Sequence, residues 1–174
     1  FVIFNASVNI ANIDVVPNIG LFRGIFVSSP NVTISSVNVI DSFGNYTQAG
    51  IVLSSWTTVS YTSVTVANTY AFYLPGSTMT TVSYSSAANS SGSKQAIYLE
   101  NASSNTLTGV VATNNLAVSG GAVRIFNGGY NSVVQSSFSA VDGQFGLHLY
   151  VSTSNNISGS HISAPNGYGT RIEG

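Results

Sequence analysis

The segment SNNISGSHISAPNGYGTRIEG, residues 154–174, contains one period of a repeat that runs through the chain. An alternating, strand-like stretch begins near Ile157, Asn166 follows at a turn, and the four residues GTRI from Gly169 form a second alternating stretch. Asn is favoured at turns because its side chain bonds the neighbouring backbone. One period therefore predicts strand, turn, strand and turn, without a helix.

The short strand motif of that period occurs eight times. Each copy has a small residue followed by an apolar residue, a variable residue and a second apolar residue, although Phe1 replaces the small residue in the first copy and Thr170 one apolar residue in the last. The copies are FVIF (1–4), GIFV (24–27), GIVL (50–53), AFYL (71–74), AIYL (96–99), AVRI (122–125), GLHL (146–149) and GTRI (169–172). Their spacing averages about 24 residues.

A second alternating unit lies between successive copies, as in VTISSVNV from Val32 and VSYTSVTV from Val59. Short strands without a helix can bury their apolar side only against neighbouring periods, so equivalent strands should stack in parallel. The L-x-x-L-x-L pattern of leucine-rich repeats is absent. These features predict a parallel β-helix.

The repeats resemble those of the pectin-lyase-like right-handed β-helix family over essentially the whole chain. The resemblance implies an all-β, right-handed parallel β-helix solenoid of about seven coils of roughly 24 residues, forming a single domain over 1–174. The family includes lyases, hydrolases, epimerases, adhesins and phage tailspikes, so it does not fix the activity. Phe1 and Ile172 fall within repeat strands, and uncapped terminal coils predict a segment of a longer chain.

Composition excludes several classes of partner. Lys and Arg number 4 and the net charge is −1, so no basic surface is expected to bind nucleic acid. No uncharged apolar run approaches the roughly 18 residues that a membrane-spanning helix needs. With no cysteine and no metal-ligand spacing among His, Asp and Glu, neither a metal nor another cofactor is expected. Asp41 and Asp142 are predicted to stabilise turns.

The period of two in a strand assigns each motif position to a face. The second and fourth positions are predicted to face the core, from Val2 and Phe4 in the first copy to Thr170 and Ile172 in the last. The third position and the residue after the motif are predicted to face outward, beginning with Ile3 and Asn5. In the later coils these outward positions are Tyr73, Tyr98, Glu100, Arg124, Phe126, His148, Tyr150, Arg171 and Glu173.

These nine outward residues are the predicted substrate-binding site. Aromatic faces stack on sugar rings, and Arg with His binds carboxylate or hydroxyl groups, so the pattern indicates an acidic or neutral polysaccharide as partner. We expect an extracellular or virion-surface protein that recognises host polysaccharide. Similarity to phage tailspikes implies a homotrimer.

Two alternatives remain. In a secreted polysaccharide lyase or uronate epimerase, His148, Arg124 and Arg171 are candidate catalytic residues, with Tyr98 or Tyr150 assisting. In a structural spacer, the same face would be a contact between subunits. A glycoside hydrolase is disfavoured, because Glu100 and Glu173 should lie about 14 Å apart, beyond the roughly 5 to 9.5 Å that the chemistry uses.

Residues outside the predicted binding site are given structural or surface roles. Tyr70, Phe145 and Tyr168 precede the small residue of their motifs and are predicted to pack as a stack at the turn. His161 is predicted to be an exposed polar residue. An outward column rich in hydroxyl groups is expected in the second unit, but it is a Ser-dominated mixture that differs from the regular Thr arrays of ice-binding solenoids: Asn9, Thr33, Ser60, Ser83, Thr106, Val134 and Ser158.

Overall fold

The computed structural model describes residues 1–90, 93–115, 120–141 and 145–174, which form three parallel sheets. The first sheet, sheet 1, consists of β1 (Val2–Ile3), β4 (Leu21–Val27), β7 (Tyr46–Val52), β10 (Tyr70–Pro75), β13 (Ile97–Glu100), β16 (Gly121–Phe126), β19 (Phe145–Tyr150) and β22 (Tyr168–Glu173). Sheet 2 consists of β2 (Asn9–Ala11), β5 (Thr33–Ser35), β8 (Thr58–Ser60), β11 (Thr81–Ser83), β14 (Thr106–Thr108), β17 (Ser132–Val134) and β20 (Asn156–Ser158). Sheet 3 consists of β3 (Asp14–Val15), β6 (Asn38–Asp41), β9 (Ser63–Val66), β12 (Ser86–Asn89), β15 (Val111–Asn114), β18 (Ser137–Ala140) and β21 (His161–Ser163).

Each coil contributes one strand to each sheet, and every strand pairs in parallel with its equivalents in the adjacent coils. The fold is therefore the all-β, right-handed parallel solenoid that the sequence predicts, with about seven turns roughly 24 residues apart. The described residues contain no helix, and so none that could cross a membrane.

The predicted inward positions of the motif form the core in coils two to seven. They are buried throughout: Ile25, Val27, Ile51, Leu53, Phe72, Leu74, Ile97, Leu99, Val123, Ile125, Leu147 and Leu149. Burying a side chain of this size contributes roughly 1.5–3 kcal/mol, so the stacked columns supply the main stabilisation of the fold.

The first coil departs from the predicted assignment by one residue. Ile3 pairs with Val27 and is 6% exposed, whereas Val2 pairs with the outward Phe26 and is 58% exposed. A slip of one residue reverses every side chain of a strand. The assignment of Val2 and Phe4 to the core was therefore wrong. Thr170 and Ile172 keep their register with β19 but are exposed, because they lie on the outermost strand.

The second unit of the period contains two strands rather than one. In the coil of Val32, the buried residues Val32 and Ile34 are followed by Val37 and Val39, and the step from Ile34 to Val37 breaks the period of two. Ser36, with φ of 53°, makes the corner in the left-handed region. A single residue of this kind turns the chain from sheet 2 to sheet 3 in each coil.

The backbone register also corrects the predicted hydroxyl column. Thr33 pairs with Thr58, while Ser60 belongs to the column of Ser35. The predicted column therefore combined residues from two separate outward columns of sheet 2.

Asp41 has the turn role predicted for it. Its buried carboxylate accepts hydrogen bonds from the backbone N–H groups of Phe43, Asn45 and Tyr46 at 3.3, 2.9 and 2.7 Å. Asp142, for which the same role was predicted, lies outside the described residues.

A ladder of asparagines joins the later coils between sheets 1 and 2. Asn105 Nδ2 donates to Asn131 Oδ1 at 3.1 Å, and Asn131 Nδ2 donates to Asn155 Oδ1 at 3.0 Å. Asn131 Oδ1 also accepts from the Asn105 backbone N–H, and Asn131 Nδ2 donates to the carbonyl of Ala102. Because Asn105 and Asn131 are buried, they satisfy backbone groups that water cannot reach.

Asn131→Ala should destabilise the protein by about 3 kcal/mol, since it leaves buried donors and acceptors of two neighbouring coils unpaired. The matched control Asn156→Ala removes an exposed side chain and should cost less than about 0.5 kcal/mol. Urea denaturation followed by circular dichroism measures both. Equal losses in the two variants would show that the ladder adds nothing to stability.

Candidate functional site

The outer face of sheet 1 brings all nine predicted site residues together. One column runs through Tyr73, Tyr98, Arg124, His148 and Arg171, and its neighbour runs through Pro75, Glu100, Phe126, Tyr150 and Glu173. We call the nine predicted residues of these columns the outer strip: Tyr73, Tyr98, Glu100, Arg124, Phe126, His148, Tyr150, Arg171 and Glu173. Adjacent members of a column lie one strand spacing, about 4.8 Å, apart along the backbone.

Three aromatic side chains at the starts of β10, β19 and β22 join this face, although the sequence predicted only that they pack at the turn. The small motif residue points into the core: a Cβ on Gly50 would lie 2.6 Å from Val64 Cγ1. Because that residue and the next one both face inward, the residue before it faces outward. Tyr70, Phe145 and Tyr168 therefore stack against the outer strip or on one another. In the sequence, an aromatic residue directly before the small motif residue is the feature that could have predicted this placement.

Three stacked tyrosines and a carboxylate form one end of the site. The rings of Tyr70, Tyr73 and Tyr98 lie 5.0 to 5.7 Å apart between centroids. Glu100 accepts hydrogen bonds from the hydroxyl groups of Tyr73 and Tyr98. The Lys94 ammonium lies 5.4 Å from the Tyr70 ring centroid. These residues line a shallow groove together with Phe22, Thr47 and Gln48, and sequence reasoning missed Lys94 and Gln48.

Burial and the neighbouring carboxylate keep these phenols protonated. Desolvation, followed by the charge of Glu100, raises the pKa of Tyr98 to about 12. Desolvation and the hydrogen bond to Glu100 also raise the pKa of Tyr73 well above its ordinary value. Both hydroxyl groups are therefore donors at neutral pH, and both are held by Glu100.

Arg124 lies at the centre of the strip, against aromatic rings. Its guanidinium carbon is 5.3 Å from the ring centroids of both Phe126 and Tyr150, which stack on each other at 5.5 Å. Its Nε is buried and has no hydrogen-bond partner in the described structure. Among the described residues no carboxylate forms an ion pair with it. Arg124 is thus a cation positioned by packing rather than by an acid.

At the other end, His148, Arg171 and Glu173 form a hydrogen-bonded group. Glu173 Oε2 lies 3.0 Å from His148 Nε2, and the other Glu173 oxygen pairs with the Arg171 guanidinium. The His148 ring also packs on Phe145, with centroids 4.5 Å apart.

The pKa of His148 is lowered to about 4 by burial first and then by the charges of Arg124 and Arg171. The imidazole is therefore neutral at pH 7, and its Nε2–H donates to Glu173.

The strip is more closely packed than an exposed strand face. Tyr98 is 9% exposed and His148 is 6% exposed, because neighbouring outward side chains pack against them. Arg171, with 40% of its side chain exposed, is more accessible.

A family model described as a right-handed β-helix region matches residues 49–174. The chain belongs to this family of right-handed β-helix proteins. No curated protein matches its sequence at a significant level.

Among solved structures, the A-module of a mannuronan C-5 epimerase from Azotobacter vinelandii is similar to this β-helix. The sequence identity is 8% and the TM-score 0.32, with 87% of this chain and 65% of that chain covered. This chain thus spans slightly less than two thirds of the epimerase module. At this identity and TM-score the likeness carries no argument about this chain.

The two carboxylates of the outer strip are too far apart for glycoside hydrolysis. Glu100 and Glu173 lie in one column but three strands apart, which corresponds to about 14 Å. The described residues contain no group of three or more His, Asp or Glu side chains that could hold a metal ion. His161, on β21, is exposed as predicted.

The buried, neutral His148 should make the stability of the protein depend on pH. Its pKa is about 4 in the folded protein and 6.5, the ordinary value for histidine, in the unfolded chain, so the unfolded state binds more protons between these values. The contribution is fully present above about pH 6.5 and is lost as the pH falls toward 4. Denaturation midpoints measured from pH 7 to pH 4 should therefore decline.

His148→Asn should flatten this decline, whereas His161→Asn, which removes an exposed histidine, should leave it unchanged. A decline of the same steepness in His148→Asn would show that another group causes it.

Proposed function

We propose that the outer strip binds an acidic polysaccharide and that Arg124 binds a sugar carboxylate. The observation that carries this proposal is the state of Arg124: Nε is buried without a partner, and no protein carboxylate forms an ion pair with the guanidinium within the described structure. The side chain is only half-buried, so the guanidinium can pair with a ligand, and a planar carboxylate fits its fork. Arg171 differs, because it already has Glu173.

The aromatic residues beside Arg124 support a sugar as the carrier of that carboxylate. Phe126 and Tyr150 stack with nearly parallel planes, 8° apart, next to the guanidinium. Flat aromatic surfaces bury the apolar faces of sugar rings, while the Tyr150 hydroxyl can contact sugar hydroxyl groups. The groove at Tyr73, Tyr98 and Glu100 lies one coil away and provides both aromatic and acceptor groups for a neighbouring sugar.

The biological setting that fits such binding is recognition of host polysaccharide at an extracellular or virion surface. In this proposal the chain acts as the receptor-binding part of a tailspike or tail fibre and assembles as a homotrimer. Sedimentation of the purified chain tests the assembly. A monomer at all concentrations would remove the trimer from the proposal without affecting the binding site.

Arg124→Gln should weaken binding to alginate and polygalacturonate by roughly 10- to 100-fold, because it removes a charged pair at a poorly solvated position. Arg23→Gln is the matched control: Arg23 also lies against aromatic rings on sheet 1, but its Nε donates to Gln48. It should alter affinity less than about threefold. Affinities from titrations at low and high salt give both values, with circular dichroism to verify folding.

Wild-type binding should weaken as salt rises. Equal affinity of Arg124→Gln and wild type, or the absence of wild-type binding to any acidic glycan on an array, would refute the proposal.

A lyase or uronate epimerase is the second candidate, and one observation favours it. His148 is neutral at pH 7 and lies in the same column as Arg124 and Arg171, on adjacent strands. Because Nε2–H donates to Glu173, the lone pair lies on Nδ1, and this atom can accept a proton next to a carboxylate that a guanidinium neutralises. Ultraviolet-absorbing unsaturated products, or an altered ratio of uronate epimers by NMR, would establish this activity. Loss of activity but not of binding in His148→Asn would assign the base.

A further inference from the structure

A second groove lies at the corner between sheets 2 and 3 and shares no residue with the outer strip. Tyr61 and Tyr84, in consecutive coils, form its wall. Their rings stack with centroids 5.6 Å apart and planes 14° apart, and the residues are 66% and 58% exposed. The lining consists of Tyr61, Thr62, Ser63, Tyr84, Ser85, Ser86, Gly109 and Val111.

The backbone at this corner does not favour tyrosine. Tyr61 and Tyr84 have φ values of 49° and 46°, in the left-handed region that bulky residues rarely adopt. In other coils the same corner is occupied by smaller or unbranched residues: Asn12, Ser36, Gly109, Gln135 and Gly159. Such conformations cost on the order of 1–3 kcal/mol and are concentrated at ligand-binding sites. Bulky residues also occupy left-handed positions elsewhere in the solenoid, such as Trp56 and Tyr130, so the pairing of Tyr61 with Tyr84 distinguishes this corner and the φ values alone do not.

Gly109 shapes the end of the groove. A Cβ at this position would lie 2.9 Å from Tyr84 Cδ1 and 3.1 Å from Cε1, so the Tyr84 ring rests on the glycine. Gly109 has φ of 61° and supplies the same corner one coil later. A side chain there would displace the ring from its place beside Tyr61. The wall of two parallel rings thus depends on this glycine.

The floor of the groove is polar but uncharged. Ser86 Oγ donates to Ser63 Oγ at 3.0 Å, so the Ser63 hydroxyl accepts one bond and has no acceptor for its own proton within the described structure. Val111 follows Ser86 in the same outward column of sheet 3 and is 47% exposed. All eight lining residues of the described structure are uncharged. The volume, about 460 Å³, lies in the range of small-ligand sites.

We propose that this groove binds a neutral oligosaccharide, independently of the acidic polysaccharide assigned to the outer strip. The tyrosine wall provides exposed aromatic surface and two phenol hydroxyl groups for contact with sugar rings, and the Ser63 and Ser86 hydroxyls on the floor bond sugar hydroxyl groups. The absence of charge among the lining residues favours a neutral over an acidic sugar, because a carboxylate would lose its hydration without gaining a cation. It also distinguishes this groove from the outer strip, where Arg124 is central.

The test is saturation-transfer NMR with four probes: cellohexaose, mannohexaose, xylohexaose and maltohexaose. Wild type should give transfer to at least one of them on irradiation of the aromatic protons, with a Kd obtained by titration. Tyr61→Asn combined with Tyr84→Asn should raise that Kd about tenfold or more. Asn is chosen because Asn12 occupies the equivalent corner of the first coil with φ of 57°.

Two control variants separate this groove from other surfaces. Tyr130→Asn removes another exposed tyrosine with positive φ, 58°, outside the groove and should change the Kd less than about twofold. Arg124→Gln should also leave it unchanged, so failure of the outer-strip proposal is distinguishable from failure of this one.

A further variant blocks the floor without altering the wall. Val111→Glu leaves both tyrosines and their corners intact, and at an outward position of sheet 3 it should still fold. It should abolish transfer even if the tyrosine double variant is unstable.

Transfer to none of the four oligosaccharides would overturn the proposal. Transfer that survives in Val111→Glu and in the tyrosine double variant would overturn it as well, because the sugar would then lie elsewhere. If sedimentation instead shows a self-association that the tyrosine double variant abolishes, with no effect on any sugar, the groove is a contact between copies of the chain and the proposal is wrong.

Discussion

The register of the parallel strands is the constraint on which the rest of this structure depends. Each strand bonds to the equivalent strand of the next coil, so a residue type placed at one position of the repeat meets its counterparts about 4.8 Å above and below it. Large apolar residues then fill the core as continuous columns, and asparagines satisfy buried backbone groups as a ladder. The same rule applies on the outside, where aromatic residues at equivalent positions stack.

Stacking along the outer face of sheet 1 changes the chemistry of the charged residues there. His148 and Arg124 lie on adjacent strands, and each packs against aromatic rings. Desolvation and the guanidinium charges keep His148 neutral, and Arg124 keeps a buried nitrogen without a partner in the described structure. A face that would carry ordinary solvated charges on an isolated strand thus becomes a preorganised surface with an uncompensated cation at Arg124. This is the arrangement from which recognition of an acidic ligand can gain most.

The corner of Tyr61 and Tyr84 follows the same stacking rule with different residues. There the left-handed corner of successive coils brings two exposed rings into contact, and Ser63 and Ser86 form an uncharged floor. The two surfaces differ in the property that selects a ligand: the outer strip contains cations, whereas the corner groove contains only neutral groups among its described residues. A solenoid can carry both because each position of the repeat is varied independently of the others.

The sequence by itself determined the period, the parallel β-helix and the members of the outer strip. These follow from the alternation of side chains and from the repetition of one motif, which are local properties of the chain. The one-strand interpretation of the second unit was wrong because one left-handed residue, such as Ser36, resets the alternation. The sign of this in the sequence is a step of three between apolar residues, as from Ile34 to Val37. The prediction for the first coil was wrong because a register shift of one residue places Ile3 in the core and Val2 on the outer face.

Only the tertiary structure decided how the site residues are arranged. The placement of Tyr70 and Phe145 on the outer strip depends on a bend at a small residue that touches the opposite sheet. The unpaired Nε of Arg124 and the lowered pKa of His148 depend on which side chains of the described structure lie across neighbouring strands. A sequence pattern specifies which residues share a column, but desolvation and hydrogen bonding depend on how those side chains pack in three dimensions.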